Sequence, residues 1–429
     1  MAANKSIKVH HLTRVEGHGD LVVEIRDGAL EEVRFPIVEA PRFFEAFLRG
    51  YHYEEVAHMA SRICGICAVA HRCAALKATE AALGVEISLQ TELLRRLAFH
   101  GEILSSHILH IYFLAGPDFL GVPSVFPLKE INPEILHRAI RLKRLGYDLC
   151  RAVAGRHTHP VGMKVGGFSF VQAEAELAAM RERLAESADD FEATVKLLRG
   201  INLPEFERET EYVCLKHPDH YAFYDGVVHS SKGNSMMVEN YRQAIEEYLV
   251  PHSTAKHACW HGSRYMVGAL ARLNINFDQL MPRAKQTAED LSLSAPCFNP
   301  FFITLAQVVE CVHCVEESIE LIDRLMEQTI TGEQIQVEPQ AGIGVGAVEA
   351  PRGTLFHEYE YDAKGRCLAA NHVIPTAQNL ANIEEDMRAF VPEIAGEDDD
   401  TIRLKLEMLV RAYDPCISCA THMITLDRR

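Results

Sequence analysis

Two rhythms of apolar and polar residues follow one another along the chain. Over the first ~40 residues the period is two, the strand repeat. Ile7–His11 and Leu21–Ile25 alternate or run β-branched, and Asp27-Gly28 offers a turn before Glu31–Phe35. From Phe43 the spacing lengthens to three or four, which predicts helices near 43–60, 68–84, 90–114, 134–153, 171–200, 237–250 and 301–330. Pro133, Pro160 and Pro204 punctuate these segments, as helix boundaries require. Residues 335–375 return to short strand-like stretches: the glycine-rich Gln340–Gly346, Thr354–Tyr361 and His372–Pro375. A last helix near 400–413 leads into a cysteine-bearing tail.

No repeat, low-complexity block or Pro/Gly/Ser linker interrupts the pattern. It predicts one domain over 1–429, mainly α with small β additions. A β region covers 1–40, a helical core with a central bundle 43–330, and a β-rich segment 335–375. A helix and C-terminal motif occupy 400–422, with a tail over 423–429.

Composition narrows the class. The 429 residues are 48% hydrophobic and 24% charged, ordinary for a globular chain. A net charge of −17 offers no basic stripe for nucleic acid. No run approaches the roughly 18 apolar residues of a membrane span, and Met1–His10 has no apolar stretch of a secretory signal. Twelve cysteines, some in Cys-x-x-Cys pairs, point to metal or redox chemistry in a reducing, cytoplasmic setting.

The chemistry concentrates in two of those pairs. One lies in Arg62-Ile-Cys64-Gly-Ile-Cys67-Ala-Val-Ala-His71, the other in Asp414-Pro-Cys416-Ile-Ser-Cys419-Ala-Thr-His422. Two-residue spacing lets both sulfurs of a pair reach one metal, and four thiolates suit Zn, Fe or Ni. A structural four-cysteine zinc site is the plain alternative. Zinc modules, however, keep their ligands within a few tens of residues, whereas these pairs lie at opposite ends of the chain.

These two motifs resemble the signature motifs of nickel–iron hydrogenase large subunits, and the likeness runs from Arg14 to His422. The resemblance implies the large-subunit fold and reversible cleavage of H2 at a Ni–Fe centre whose Fe carries CO and two CN−. It implies Cys64 and Cys416 as terminal nickel ligands, Cys67 and Cys419 as bridging ones, and Cys416 as a base. Glu16, in Arg14-Val-Glu16-Gly-His18, would relay the proton, its pKa raised by burial beside the thiolates. Glu45 and His422 would hold a Mg ion. Arg352, in Glu349-Ala-Pro351-Arg352-Gly353, would sit over the open face of the centre, with Asp414 as its carboxylate partner. Pro351 and Thr376 would line the cyanide pocket.

Where respiratory members carry Asp-His, this chain has Ser106-His107. That is similar to the cytoplasmic multisubunit branch, and Ala68-Val-Ala-His71 and Ser418-Cys-Ala-Thr-His422 resemble its heterodisulfide-reductase-linked, not deazaflavin-reducing, members. The implied partners are an iron–sulfur small subunit, heterodisulfide reductase or another electron-acceptor module, and a maturation endopeptidase if Met423–Arg429 is cleaved. A hydrogen sensor with the same centre is a second alternative, and such sensors generally lack that tail.

Other signals weigh less. Cys311-Val-His-Cys314 falls inside a helix and reads as core packing. Gly342-Ile-Gly344-Val-Gly346 lacks the spacing of a dinucleotide loop. His157 and His159 are candidates to line the cavity.

Overall fold

A computed structural model describes residues 4–27, 29–333 and 335–421. The N-terminal sheet is antiparallel, in the order β1 (Lys5–Val9), β2 (Leu21–Arg26), β3 (Ala29–Arg34). Alternate residues Leu21, Val23 and Ile25 of β2 are buried, so the two-residue rhythm does mark an inward face.

The helices are α1 (Tyr53–Ala60), α2 (Ala68–Leu83), α3 (Leu89–Leu109), α4 (Pro133–Ala154), α5 (Glu174–Glu186) and α6 (Ala188–Arg199), followed by α7 (Ala269–Asn276), α8 (Pro282–Asp290), α9 (Ile303–Met326), α10 (Pro375–Ile394) and α11 (Asp399–Ala412). The expected bundle is there: α3 packs on α4 and α9, with α5 and α8 against α9. Ser88 caps α3 by accepting from the Thr91 amide at 3.1 Å. Beyond Leu109 that helix widens into a π turn, His110–Ala115, where the His110 ring bridges Gln307 (2.5 Å) and the Arg411 carbonyl (2.7 Å).

The helical core expected over 43–330 contains strands as well. A short hairpin pairs Met163–Lys164 with Gly167–Phe168. Further on come β4 (Glu211–Lys216), β5 (Val227–Ser230), β6 (Ser235–Met236), β7 (Ile245–Tyr248), β8 (His257–Trp260) and β9 (Tyr265–Met266). Four of these form a sheet in the order β9-β4-β5-β6, and β7 pairs antiparallel with β8. The helix expected over 237–250 is therefore a 3-10 turn, Val238–Gln243, followed by β7. Tertiary pairing overrides the apolar spacing there: Tyr241 stacks on Phe356, and Ile245–Tyr248 finds a partner strand. The helix expected over 171–200 breaks at Ser187 into α5 and α6.

The β-rich segment is an antiparallel sheet, β10 (Gly342–Ala350), β11 (Gly353–Tyr361) and β12 (Cys367–Val373). It explains the glycine run. A Cβ at Gly342, Gly344 or Gly346 would come within 2.3, 2.1 and 2.3 Å of the carbonyl oxygens of Ala82, Ala78 and Ala74. Three alternate positions without side chains let α2 lie directly on the backbone of β10.

Candidate metal centre

Cys67 immediately precedes α2, and Cys416 immediately precedes a single helical turn, Ile417–Ala420. Each pair thus opens a helical segment, and the fold brings the two openings together. The Cys64 and Cys416 Sγ atoms are 3.5 Å apart, Cys67 and Cys419 3.7 Å, and Cys416 and Cys419 2.8 Å. All four are buried and none is in a disulfide.

Three sets of contacts fix this meeting. Glu16 pairs with Cys416 in a parallel bridge: its carbonyl accepts from the Ile417 amide and its carboxylate from the Ser418 amide, both at 3.0 Å. Gly17, at φ +89°, permits that approach, since a Cβ would sit 2.7 Å from the Cβ of Ile417. Arg42 straps the two motifs together, donating to the Ile63 carbonyl (2.6 Å) and the Ser418 carbonyl (3.1 Å from Nε). Arg14 donates to the Leu114 carbonyl at 2.6 Å and pairs with Asp118, which also takes Arg411 at 2.6 and 2.9 Å.

The donor set fits a soft, positively charged metal group. Hydrogen bonds from Cys416, Cys419 and Cys67 hold the Cys64 thiol well below its usual range. Cys416 is pushed well above it by its contacts with Cys419 and Cys64, and burial lifts Cys419 to about 11. Without a cation, four thiolates cannot coexist at these distances; a bound cation would offset their mutual repulsion.

Beside the sulfurs, Arg352 is 4% exposed and donates to the Asp414 carbonyl (2.6 Å), the Asp414 carboxylate (2.8 Å) and Ser106 Oγ (3.3 Å). Against the cost of burial, Asp414 first and then the sulfurs of Cys416, Cys67 and Cys64 keep it charged. The other carboxylate oxygen of Asp414 is buried with no partner among the described residues. Pro351 points its carbonyl at Arg272, which also binds the Ala350 carbonyl and the buried carboxylates of Glu310 and Glu349. Thr376 Oγ1 accepts the Cys416 amide at 2.9 Å, a bond that leaves the hydroxyl proton available.

Other expectations fare differently. Glu16 is only half-buried, and its contact with the cysteine motif runs through backbone amides rather than a thiol. Glu45 is buried, its carboxylate accepting the His372 amide at 2.9 Å, with Lys256 Nζ at 3.9 Å; burial raises its pKa. His422 and 423–429 lie outside the described residues. His157 is exposed against Tyr147, and His159 reaches the Ser61 carbonyl at 2.8 Å. Cys311 and Cys314 are buried in the core and lie in no ligand cluster among the described residues.

Sequence reading missed Glu102. Its carboxylate accepts two amides in the first turn of α2, from Val69 (2.5 Å) and Ala70 (2.9 Å). Burial raises its pKa to about 8 against those bonds, with the Cys64 thiolate adding to the rise. A protonatable carboxyl thus stands directly behind Cys67.

The model of a family described as nickel-dependent hydrogenase matches residues 42–141 and 215–422. The alpha chain of sulfhydrogenase 1 from Pyrococcus furiosus is 35% identical over 98% of this chain and 98% of its own length. A chain of the F420-non-reducing hydrogenase of Methanothermobacter thermautotrophicus is 32% identical over 97% and 95%. Among solved structures, an NAD+-reducing [NiFe]-hydrogenase in the H2-reduced state superposes with a TM-score of 0.87. It is 31% identical, with 98% of this chain and 100% of that chain covered.

Proposed function

The chain belongs to the nickel-dependent hydrogenase family, and from that premise we propose that Cys64, Cys67, Cys416 and Cys419 hold a Ni–Fe centre bearing CO and two CN− on its iron. When bound, that centre supplies heterolytic cleavage of H2. The meeting of four buried sulfurs from opposite ends of the chain carries the reading.

The protein's own part is to orient and to move protons. Cys64, Cys67, Cys416 and Cys419 would hold the centre, the first of each pair in the terminal role and the second in the bridging role that the family resemblance implies. Cys416 Sγ takes the proton, and Glu16, registered against Cys416, carries it outward. Arg352, fixed by Asp414 and Ser106, would present its charge to the bound centre, while Pro351 and the Thr376 hydroxyl would line the pocket for its cyanides. Glu45 and His422 hold Mg; the ion would take over the carboxylate that Lys256 now faces. The whole chain works as one domain, because neither cysteine pair is a site alone.

Electrons leave through an iron–sulfur small subunit of a cytoplasmic complex. The likeness to F420-non-reducing hydrogenases supports an acceptor other than deazaflavin; heterodisulfide reductase is the module we assign, on the residues flanking the cysteine pairs. An alternative acceptor is nicotinamide, favoured by the likeness to an NAD+-reducing hydrogenase.

Infrared spectroscopy of anaerobically purified protein, with nickel, iron and zinc analysis, tests the centre. One CO band, two CN bands and stoichiometric nickel are expected. Zinc in the cysteine site of mature protein, with no such bands, overturns it. Reduction of candidate acceptors under H2 by the purified complex then decides between the acceptors.

A further inference from the structure

A second group of ligand-type side chains lies outside the cysteine cluster. His252 stands in the loop between β7 and β8, His257 opens β8, and Glu384 projects from the middle of α10. One donor atom from each lies within 4.8 Å of the other two. His252 Nε2 is 2.8 Å and His257 Nε2 4.0 Å from the same Glu384 oxygen, Oε1. The two rings stand at 82°, with centroids 5.9 Å apart, so they converge on the carboxylate from different directions.

His257 is the telling member. It is 1% exposed, yet neither ring nitrogen makes a well-formed hydrogen bond among the described residues, only an approach to the Ala255 backbone. A buried imidazole so poorly partnered costs free energy that a ligand would recover. Burial also lowers its pKa against the pull of Glu384, with the Arg264 guanidinium and the His252 ring facing it as well, so the ring is neutral and ready to ligate. The Arg264 guanidinium is engaged by Glu385 at 3.1 Å and does not occupy the carboxylate of Glu384.

We propose that His252, His257 and Glu384 form a divalent transition-metal site that takes Zn2+. Two imidazoles and one carboxylate form a familiar zinc donor set, with a fourth position left for water. Tetrahedral zinc at about 2.0–2.2 Å from each ligand sets its donors roughly 3.3–3.5 Å apart, between the separations seen here. The ion would clip the β7–β8 loop to α10. It would also bind the N-terminal sheet indirectly, since Glu384 Oε1 accepts the Phe35 amide at 3.0 Å. The inference does not depend on the nature of the cysteine centre.

The test uses the purified complex with stoichiometric nickel, dialysed against a chelator and then against ZnSO4. Zinc is counted relative to nickel, and Co2+ in place of zinc is read as a visible difference spectrum against the metal-stripped complex, which removes the absorption of the iron–sulfur and nickel groups. One zinc per chain is expected, with Co2+ d–d bands and no thiolate charge-transfer band, the latter separating this site from the cysteines. His257→Gln and Glu384→Gln should each lower zinc at least tenfold while leaving nickel content and the infrared bands unchanged. If those variants fail to fold, His252→Asn, in the loop, gives the same reading. Wild type that takes up no zinc, a charge-transfer band, or folded variants that keep their zinc would each overturn the proposal.

Discussion

Arg352 has its guanidinium fixed by a carbonyl, a carboxylate and a hydroxyl at once, so its orientation matters as much as its charge. Arg352→Lys keeps the charge but cannot reproduce that fork. We expect H2-dependent dye reduction to fall about 10²–10³-fold, the range for losing one preorganised donor, with nickel content unchanged. Glu102 gives a pH signature in protein made without nickel. Its folded pKa of about 8 stands above the ordinary carboxyl value, so between the two the folded state holds a proton that the unfolded state has released. Stability must then fall as pH rises through that window and level off above it. Glu102→Gln lacks this slope. Melting temperatures of wild type minus variant should drop from pH 5 to pH 8; a flat difference would refute the assignment. The cysteine pairs were legible because their spacing encodes their chemistry. Glu102 and Arg42 were not, since a carboxylate on α3 and an arginine before the first helix matter only through what folding sets beside them.

At the scale of elements, helices with a clear three-to-four rhythm were legible, and α2, α3, α4 and α9 lie close to where that rhythm placed them. Elements defined by distant partners were not. β7 reads as helix until β8 is known, and α10 was missed although Pro375 stands at its first turn. The glycine stripe of β10 shows the same limit: as sequence it looked like a failed nucleotide loop, and only the helix across it gives it meaning. Gly344→Ala would press a methyl carbon to 2.1 Å from the Ala78 carbonyl oxygen, so strand and helix must part. Overpacking of this kind costs about 1–3 kcal/mol, and chemical denaturation should show at least that loss, with the same substitution at exposed Gly396 near neutral.

Across the whole molecule, a metal held by both cysteine pairs ties residues 352 positions apart. Closing a loop of that length in the unfolded chain is worth about 5–6 kcal/mol at most, by the chain-entropy estimate used for crosslinks. Protein produced without nickel should therefore melt lower than loaded protein. Limited proteolysis should cut it first near 413–421, the segment whose cysteines the metal would otherwise hold. Equal melting temperatures would mean that packing around Arg42 and Glu16 already secures that segment.

That same span has a consequence in time. A ribosome adding roughly 5–20 residues per second needs about 20–70 s to pass from the first cysteine pair to the second. Throughout that interval the nascent chain carries a two-thiol half-site, open to stray metal and to oxidation, with nothing yet to complete it. On the proposed function, nickel insertion at all four thiolates would have to follow synthesis of Cys419, and any protection the first pair needs would have to act on the growing chain.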